Sequence, residues 1–303
     1  MIYIAISILL FNLLVVFFKL FEKYNIDNLQ ALIANYFTSG ILSLLLLNEN
    51  DNISSSLNSE WFVHAIILGV LFISIFNIYA LGVQKIGVAT TSVINKMSFI
   101  IPVIFSIVFY ENEVFSINIF LGVLLALIGI YLSSTNNSSF NFDNKYLWII
   151  FIIFFGQGVV DIVLNDSKFY IPKDENILFF LILFLSATTT GILILFAKKQ
   201  LSFLKIKNLL WGAVFGIPNF FSIFYFLKAL QSDYFIDKSY LIFPLTSVGI
   251  VVSTTVLGML LYKEILTKRN LIGIAIAILS IIIISDTYRD LYRFYINLVY
   301  SFL

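Results

Sequence analysis

The chain has 303 residues, of which 60% are hydrophobic and only 12% are charged. A soluble domain is nearer ~45–50% apolar and ~25% charged, so this composition indicates a protein whose solvent is lipid. Lys and Arg number 18 against 17 Asp and Glu, which leaves no large basic face for nucleic acid. The absence of cysteine excludes disulfides and thiol catalysis, and a single histidine leaves a transition metal with few ligands.

Long apolar runs recur along the chain and predict an all-α polytopic membrane protein with ten transmembrane helices, because a spanning helix needs ~20 apolar residues. The predicted spans are 2–20, 28–48, 61–83, 88–110, 117–134, 146–168, 176–197, 208–230, 239–262 and 270–285. The first run has no basic residue before it and no Ala-x-Ala cleavage site. We therefore interpret it as a retained helix and not as a signal peptide.

Two separate segments repeat at the same spacing, which indicates an internal duplication. Glu113-Val-Phe-Ser and Glu264-Ile-Leu-Thr are 151 residues apart, and so are Thr38-Ser39-Gly40 and Thr189-Thr190-Gly191. In the middle the register drifts, since Lys96 and Pro102 resemble Lys238 and Pro244 at a spacing of 142. The small residues that follow the glutamates, Gly122 with Ala126 and Gly273 with Ala277, are expected to be surfaces where helices pack closely.

The duplication predicts the arrangement of the chain in the membrane. Each repeat holds five spans, an odd number, so the second repeat enters the membrane from the opposite side to the first. We expect two inverted five-helix repeats at 1–138 and 146–285, a linker at 139–145 and a short interfacial tail at 286–303. Many secondary transporters are built from inverted repeats, with the substrate site near mid-bilayer between the halves.

The motifs at the span ends resemble those of a known family. They are Tyr110-Glu-Asn-Glu113-Val-Phe-Ser with Gly122, Tyr262-Lys-Glu264-Ile-Leu-Thr with Gly273, Asn95-Lys-Met-Ser-Phe-Ile-Ile-Pro102 and Gly216-Ile-Pro-Asn219-Phe-Phe-Ser. With them, residues 1–285 resemble the drug/metabolite transporter superfamily, in its EamA-like branch. The resemblance implies ten helices and transport. It names no substrate, because that family carries amino acids, nucleosides, sugars and drugs among others.

Two charges deep inside spans are the strongest candidates for binding a substrate or an ion. Lys96 lies about eight residues into span four, and Asp161 lies within span six. A charge at such depth costs ~3 kcal/mol by insertion scales, so it normally faces a cavity or a partner. Lys96 could hold an anionic group and Asp161 could exchange a proton. An ion pair between them that only locks helices together is the alternative.

Weaker candidates are polar residues in spans and prolines that interrupt them. The polar candidates for a central cavity are Asn95, Ser98, Gln157, Asn219, Asn12, Tyr79, Tyr225 and Lys238, although each could instead form a helix–helix hydrogen bond. Hinge or kink candidates are Pro218, Pro102 and Pro244. Pro218 should free the carbonyl of Val214. His64, at the start of span three, is expected at the membrane interface.

These observations favour a secondary transporter that moves a small polar or amphipathic metabolite by alternating access, with or without proton coupling. The alternatives are a membrane scaffold or receptor and, less favoured, an intramembrane enzyme acting on a lipid-linked substrate. No catalytic set, metal cluster or cofactor motif is present in the sequence. The expected partners are the lipid bilayer of a bacterial plasma membrane, a small-molecule substrate and, with proton coupling, protons; a monomer and a homodimer both fit.

The charge distribution predicts the orientation. Loops after odd-numbered spans carry eleven Lys and Arg, and the loops and ends on the other side carry six. By the positive-inside rule, both termini then lie outside the cytoplasm. The resemblance implies the opposite orientation, with both termini inside.

Overall fold

The computed structural model describes residues 2–47, 56–86, 88–110, 116–134, 144–172, 174–198, 204–262 and 267–284. Within these ranges the chain forms α-helices joined by turns and contains no strand. The helices are α1 (Ile2–Lys23), α2 (Asn28–Leu45), α3 (Glu60–Lys85), α4 (Val88–Met97), α5 (Ile100–Phe109), α6 (Ile117–Ser134), α7 (Leu147–Ser167), α8 (Asn176–Ala197), α9 (Ile206–Leu230), α10 (Ser239–Tyr262) and α11 (Lys268–Ile284). Most of the predicted linker, the predicted tail, Glu113 and Glu264 lie outside the described residues.

The helices have the length and surface of an integral membrane protein. Within the described ranges, six apolar segments are long enough to cross a bilayer: Ile2–Lys23, Glu60–Gly82, Thr91–Phe109, Leu147–Ser167, Asn176–Ala197 and Ile206–Leu230. Large apolar side chains are widely exposed, for example Leu45 at 73%, Ile206 at 71% and Phe196 at 69%. Soluble monomers rarely present such a continuous apolar surface, whereas lipid is its natural solvent.

Span four departs from the prediction of one continuous helix. The chain forms α4 and α5, with a break at Ser98 and Phe99. Pro102 has no N–H to donate to the carbonyl of Ser98 and its ring crowds that carbonyl, so the regular ladder cannot continue. The Ser98 carbonyl accepts from the N–H of Ile101 instead, at 2.9 Å. Lys96 therefore lies in the last turn of a short helix, where a cation is favoured by the helix dipole.

Helices from the two halves of the chain pack against each other throughout the bundle. The most extensive interfaces join α6 to α11, α2 to α9, α3 to α8, α1 to α9, α2 to α8 and α3 to α7. Smaller ones join α1 to α10, α5 to α7 and α5 to α10. The most extensive helix packing thus joins the two halves.

Glycines allow the closest of these crossings. A Cβ at Gly69 on α3 would lie 2.4 Å from the carbonyl oxygen of Leu183 on α8. A Cβ at Gly216 on α9 would lie 2.6 Å from the carbonyl oxygen of Asn35 on α2. At Gly129 on α6 the backbone nitrogen of Ala277 on α11 is equally close, at 2.6 Å, so Ala277 of the predicted small-residue surface of span ten packs closely against span five. Small residues at such points let backbones approach and gain dispersion contacts in lipid.

Candidate functional site

The central feature of the bundle is a cavity of about 110 Å³ with walls from both halves of the chain. Its lining comes from α1, α3 and α4 on one side of the sequence and from α7, α9 and α10 on the other. Space of this size holds several water molecules or part of a small metabolite. It is the type of concave site, at an interface between helices, in which small ligands bind.

The walls combine polar and aromatic groups. The polar lining residues from the first half are Ser7, Asn95 and Lys96, and those from the second half are Gln157, Asp161, Asn219, Ser222, Thr246 and Ser247. The aromatic lining residues are Phe11, Phe72, Phe76, Phe226 and Phe243. A ligand in this cavity therefore meets opposite charges, amides, hydroxyls and ring faces together.

A chain of hydrogen bonds ends at Asp161. The amide nitrogen of Asn95 donates to Oε1 of Gln157 at 3.0 Å, and Nε2 of Gln157 donates to Oδ1 of Asp161 at 2.9 Å. Gln157 and Asp161 are one helical turn apart on α7, whereas Asn95 comes from α4. The carboxylate is thus held by its own helix and connected to the break in span four.

Lys96 faces the same cavity from the end of α4. Its ammonium lies over the ring of Phe11, 3.8 Å from the ring centroid, a cation–π contact. It is close enough to Asp161 for the two charges to interact electrostatically. Because the Lys96 ammonium lies over the Phe11 ring, the Asp161 carboxylate can still accept a hydrogen bond from a ligand or take up a proton.

Asn219 presents an unsatisfied donor. Its side chain is 3% exposed and lines the cavity from α9. The amide nitrogen has no hydrogen-bond partner within the part of the chain that the structure describes. A buried donor left without an acceptor costs ~1–3 kcal/mol, so this group is suited to an acceptor on a ligand or to a water molecule.

Five of the ten predicted binding residues meet at this cavity: Lys96, Asp161, Asn95, Gln157 and Asn219. Tyr79 lines a smaller adjacent pocket and shares a hydrogen bond of 3.0 Å with the hydroxyl of Ser92. The other four candidates lie elsewhere.

Ser98 donates to the carbonyl of Asn95 at the helix break, and Asn12 donates to Ser253 at 2.7 Å between α1 and α10. Tyr225 stacks on Tyr3, with ring centroids 6.0 Å apart. Lys238 is exposed before the start of α10, with its ammonium 5.1 Å from the ring centroid of Tyr234. The 142-residue match to Lys96 therefore does not bring Lys238 to the cavity.

The three predicted hinge prolines differ in effect. Pro102 accompanies the break between α4 and α5, whereas Pro218 and Pro244 lie inside the continuous helices α9 and α10. Pro218 is followed directly by Asn219, and the residue four before Pro244 is Tyr240. The strongest proline effect is thus at Pro102 and not at Pro218.

The sequence interpretation missed several lining residues. Ser222, one turn after Asn219, lies on the same face of α9, and Phe243, Thr246 and Ile250 have the spacing of one face of α10. Helical spacing from a polar residue in a span is the signal that could have found them. Ser7 donates to the carbonyl of Ser222 at 2.8 Å and joins α1 to α9 beside the cavity.

His64 lies near the start of α3, as expected for an interface residue. It is 3.0 Å from Oδ2 of Asp166 at the end of α7 and stacks on Tyr170. In the described part of the chain, no group of three or more His, Cys, Asp or Glu side chains could hold a metal ion.

The comparison with known families agrees with this architecture. Residues 1–135 match the model of the EamA-like transporter family. That family is a branch of the drug/metabolite transporter superfamily, and its model covers the first half of this chain as far as α6. The EamA-like part supplies α1, α3 and α4, and with them Lys96 and Asn95 of the cavity wall.

Whole-chain relatives extend beyond this EamA-like part. An uncharacterised protein of Haemophilus influenzae is 29% identical over 296 residues, covering 92% of each chain. A solved crystal structure superposes with a TM-score of 0.71 at 16% identity, covering 96% of this chain and 97% of the other. At that identity, the likeness concerns the fold alone, and it extends over both halves of the chain.

Proposed function

We propose that the protein is a secondary transporter that moves a small polar or amphipathic metabolite across the membrane by alternating access. The observation that carries the proposal is the cavity between the halves, with Lys96 and Asp161 in its walls. Burying either charge is costly, and a purely structural bundle could replace both with apolar residues at little loss. Their presence beside an open space favours a ligand that uses them.

The pattern of helix packing supports ten spans in two inverted five-helix repeats. We count α4 and α5 as one span and pair each span with the one five positions later in the chain. When each helix is replaced by its counterpart, the α2–α9 interface becomes the α3–α8 interface, and both are present. The same replacement turns α1–α9 into α3–α7, and α1–α10 into the contact of span four with α7. The interfaces α2–α8 and α6–α11 are each their own counterpart.

Individual contacts repeat in the same way. Gly69 and Gly216, which are 147 residues apart, both meet a backbone carbonyl of the neighbouring helix. Trp61 donates to Glu175 at 2.7 Å, and 147 residues after Trp61, Asn208 donates to Gln30 at 2.9 Å. The difference from the spacing of 151 at the repeat ends is one helical turn, in agreement with a register that drifts in the middle.

The ends of the helices follow this symmetry as well. His64 stacks on Tyr170 with ring centroids 5.1 Å apart, and Trp211 stacks on Tyr24 at 5.3 Å. Each pair joins the third span of one repeat to the end of the first span of the other. Two halves with matching contacts at opposite faces suit a rocking motion that opens one face while it closes the other.

The lining supports a substrate with both polar and apolar parts. Lys96 and the amide nitrogen of Asn219 suit an anionic or carbonyl group, Asp161 suits a cationic group or a proton, and the phenylalanines suit an apolar part. Proton coupling through Asp161 is part of the proposal, because a carboxylate buried in a low-dielectric site can alternate between charged and neutral forms.

The setting we propose is the plasma membrane of a bacterium, in agreement with the relative in Haemophilus influenzae. The partners are the bilayer, the substrate and protons. Both a monomer and a homodimer accommodate the proposal, since the cavity lies within one chain.

Reconstitution into proteoliposomes with a panel of radiolabelled metabolites tests the function. We expect uptake of at least one amphipathic or zwitterionic solute, driven by its own gradient or by a proton gradient. Asp161→Asn should abolish uptake or uncouple it from protons, and Lys96→Met should abolish it for an anionic or zwitterionic solute. Both variants should still fold and insert.

The double variant Asp161→Asn with Lys96→Met separates transport from a structural pair. If the charges only hold helices together, removing both should restore stability and uptake relative to either single change. If they bind substrate, the double variant stays inactive while its stability recovers. Wild-type uptake by Asp161→Asn would contradict the coupling role of this carboxylate.

A further inference from the structure

A second, much smaller pocket adjoins the central cavity. It has a volume of about 10 Å³, room for roughly one water molecule. The two spaces share five lining residues: Phe11, Leu14, Phe76, Asn95 and Gln157. The residues that line only the smaller pocket include Val15, Phe18 and Tyr79, which follow the shared ones along α1 and α3. The smaller pocket therefore continues the cavity toward the C-terminal ends of these helices.

The shared polar residues form a bridge across the boundary between the two spaces. Asn95 on α4 and Gln157 on α7 are joined by the 3.0 Å hydrogen bond between their side-chain amides. The other shared residues are two aromatic rings and a leucine, which have no polar bond to break. A solute that leaves the cavity in this direction must separate the two amides.

The carboxylate of Asp161 determines which way this bridge points. An ionised carboxylate only accepts hydrogen bonds, so Gln157 must turn its NH₂ group toward Asp161. Its carbonyl oxygen is then the atom that faces Asn95, and Asn95 must offer its own NH₂ group. The bond to a charged acceptor is stronger than one between neutral groups, so it fixes the Gln157 side chain in the bridging position.

We propose that the Asn95–Gln157 bridge is a gate between the central cavity and the smaller pocket, held shut by the hydrogen bond from Gln157 to Asp161. Gln157 is a positioning residue in this scheme. A substrate group that takes over the Asp161 carboxylate removes the partner that fixes Gln157, so occupancy of the site and opening of the gate are linked. The proposal rests on passage of a solute through this cavity.

A second amide pair supplies a matched control. The amide nitrogen of Asn176 donates to Oε1 of Gln231 at 2.9 Å, and Nε2 of Gln231 donates to the carbonyl of Ile171 at 3.0 Å. The geometry is that of the gate, but the last acceptor is a neutral carbonyl and neither amide lines the two pockets. Gln231→Met therefore measures the effect of losing a buried amide bridge that does not line either pocket.

The absence of native cysteine makes thiol labelling a direct readout. Val15→Cys places a thiol in the smaller pocket, and Ser247→Cys places one in the central cavity. Each is combined with Gln157→Met, which keeps the length of the side chain and removes both hydrogen bonds, or with Gln231→Met. Purified protein in detergent is reacted with a small, charged methanethiosulfonate reagent, and the rate of labelling is followed by mass spectrometry.

We expect Gln157→Met to accelerate labelling at Val15→Cys by at least about tenfold, the factor that corresponds to about 1.4 kcal/mol, because the bonds to Asn95 and to the Asp161 carboxylate are both lost. Gln231→Met should leave that rate unchanged, and labelling at Ser247→Cys should be equal in all backgrounds. An unchanged rate with Gln157→Met, or the same acceleration with Gln231→Met, would overturn the gate.

Asn95→Leu opens the bridge from its other side and should accelerate labelling at Val15→Cys as Gln157→Met does; an unchanged rate would count against the gate. The assay uses no substrate, so a negative metabolite panel contradicts the proposed function without affecting this result. Conversely, uptake by the wild type together with unaltered labelling refutes the gate alone.

Discussion

At the scale of single residues, the buried amides show which polar groups serve the fold and which await a ligand. Asn165, fully buried on α7, donates from its amide nitrogen to Ser106 and to Ser239, both at 3.1 Å. Asn219 is buried to a similar degree, but its amide nitrogen has no partner within the described residues. The nitrogen of the first amide contributes to helix association, whereas the nitrogen of the second is a cost that a ligand or water offsets.

This contrast predicts opposite effects for the same substitution. Asn219→Leu should raise the stability of the substrate-free protein by about 1 kcal/mol, because an unsatisfied donor is replaced by an apolar group of similar shape. Asn165→Leu should lower it by about 0.6–1.7 kcal/mol, the range for interhelical hydrogen bonds in lipid. Thermal unfolding of the purified variants measures both. Only Asn219→Leu should also lose uptake while remaining stable, and destabilisation by Asn219→Leu would contradict its assignment.

At the scale of single helices, the break in span four sets the position of Lys96 and Asn95. Both lie in the last turn of α4, and the helix ends because Pro102 cannot support the carbonyl of Ser98. Pro244 lies within α10, which continues without a break. The break therefore accompanies Pro102 and not Pro244, and it lies next to the charged wall of the cavity.

Removing Pro102 should repair the ladder. In Pro102→Ala, the new N–H can donate to the Ser98 carbonyl, so we expect slower amide hydrogen exchange across residues 98–102. Pro244→Ala, in a continuous helix, serves as the control and should change exchange little. The exchange rates are measured by mass spectrometry on the protein in detergent. Equal exchange in wild type and Pro102→Ala would show that another residue causes the break.

The glycine crossings are features of pairs of helices. Gly69→Ala and Gly216→Ala should each destabilise the protein by about 1–3 kcal/mol, because the added methyl group meets a backbone carbonyl that cannot move aside easily. Gly40→Ala is the control, since its Cβ would lie 3.7 Å from Leu185, an ordinary contact. Thermal unfolding checks all three. Similar losses at all three positions would mean that helix flexibility, and not close packing, explains the effect.

The sequence predicts the helices better than it predicts the cavity, for physical reasons. Apolar runs and the cost of a charge in lipid act on each residue separately, so the spans and the depth of Lys96 and Asp161 can be recognised without a fold. Lys238 was misplaced because a short match at a spacing of 142 ignores where the helix begins. Ser7, Ser222 and Thr246 were missed because hydroxyls are common in spans, and only the packing of α1, α9 and α10 decides which of them face a cavity.

At the scale of the whole molecule, several helix interfaces recur in both halves, whereas the charges of the cavity wall do not. The crossing of span four with α7 carries Lys96, Gln157 and Asp161. At the corresponding crossing of α1 with α10, a Cβ on Gly249 would lie 2.5 Å from the side chain of Ile8. In the repeat arrangement that we propose, these two crossings correspond to each other, and the charges that line the cavity lie at the first of them.

The orientation of the helix bundle in the membrane determines which side of the membrane each helix end faces, and the charge distribution predicts this orientation. Eleven Lys and Arg lie in loops after odd-numbered spans, against six on the other side. Several of the eleven lie at described helix ends, among them Lys23 as the last residue of α1, Lys198 directly after α8 and Lys268 at the start of α11. Because cationic loops are retained in the cytoplasm, we expect the end of α1 to face the cytoplasm and the chain termini to face outward.

Reporter fusions in a bacterial host test this orientation. Alkaline phosphatase fused after Ser285 should be active, because the enzyme folds only outside the cytoplasm, and a green fluorescent protein fused there by the same secretion route should stay dark. Fusions after Lys198, at the opposite end of the bundle, should give the reverse result and control for expression. Fluorescence of the fusion after Ser285, together with phosphatase activity of the fusion after Lys198, would mean that the bundle has the opposite orientation in the membrane. The eleven cations would then lie outside, and a different physical cause than loop charge would have to set the topology.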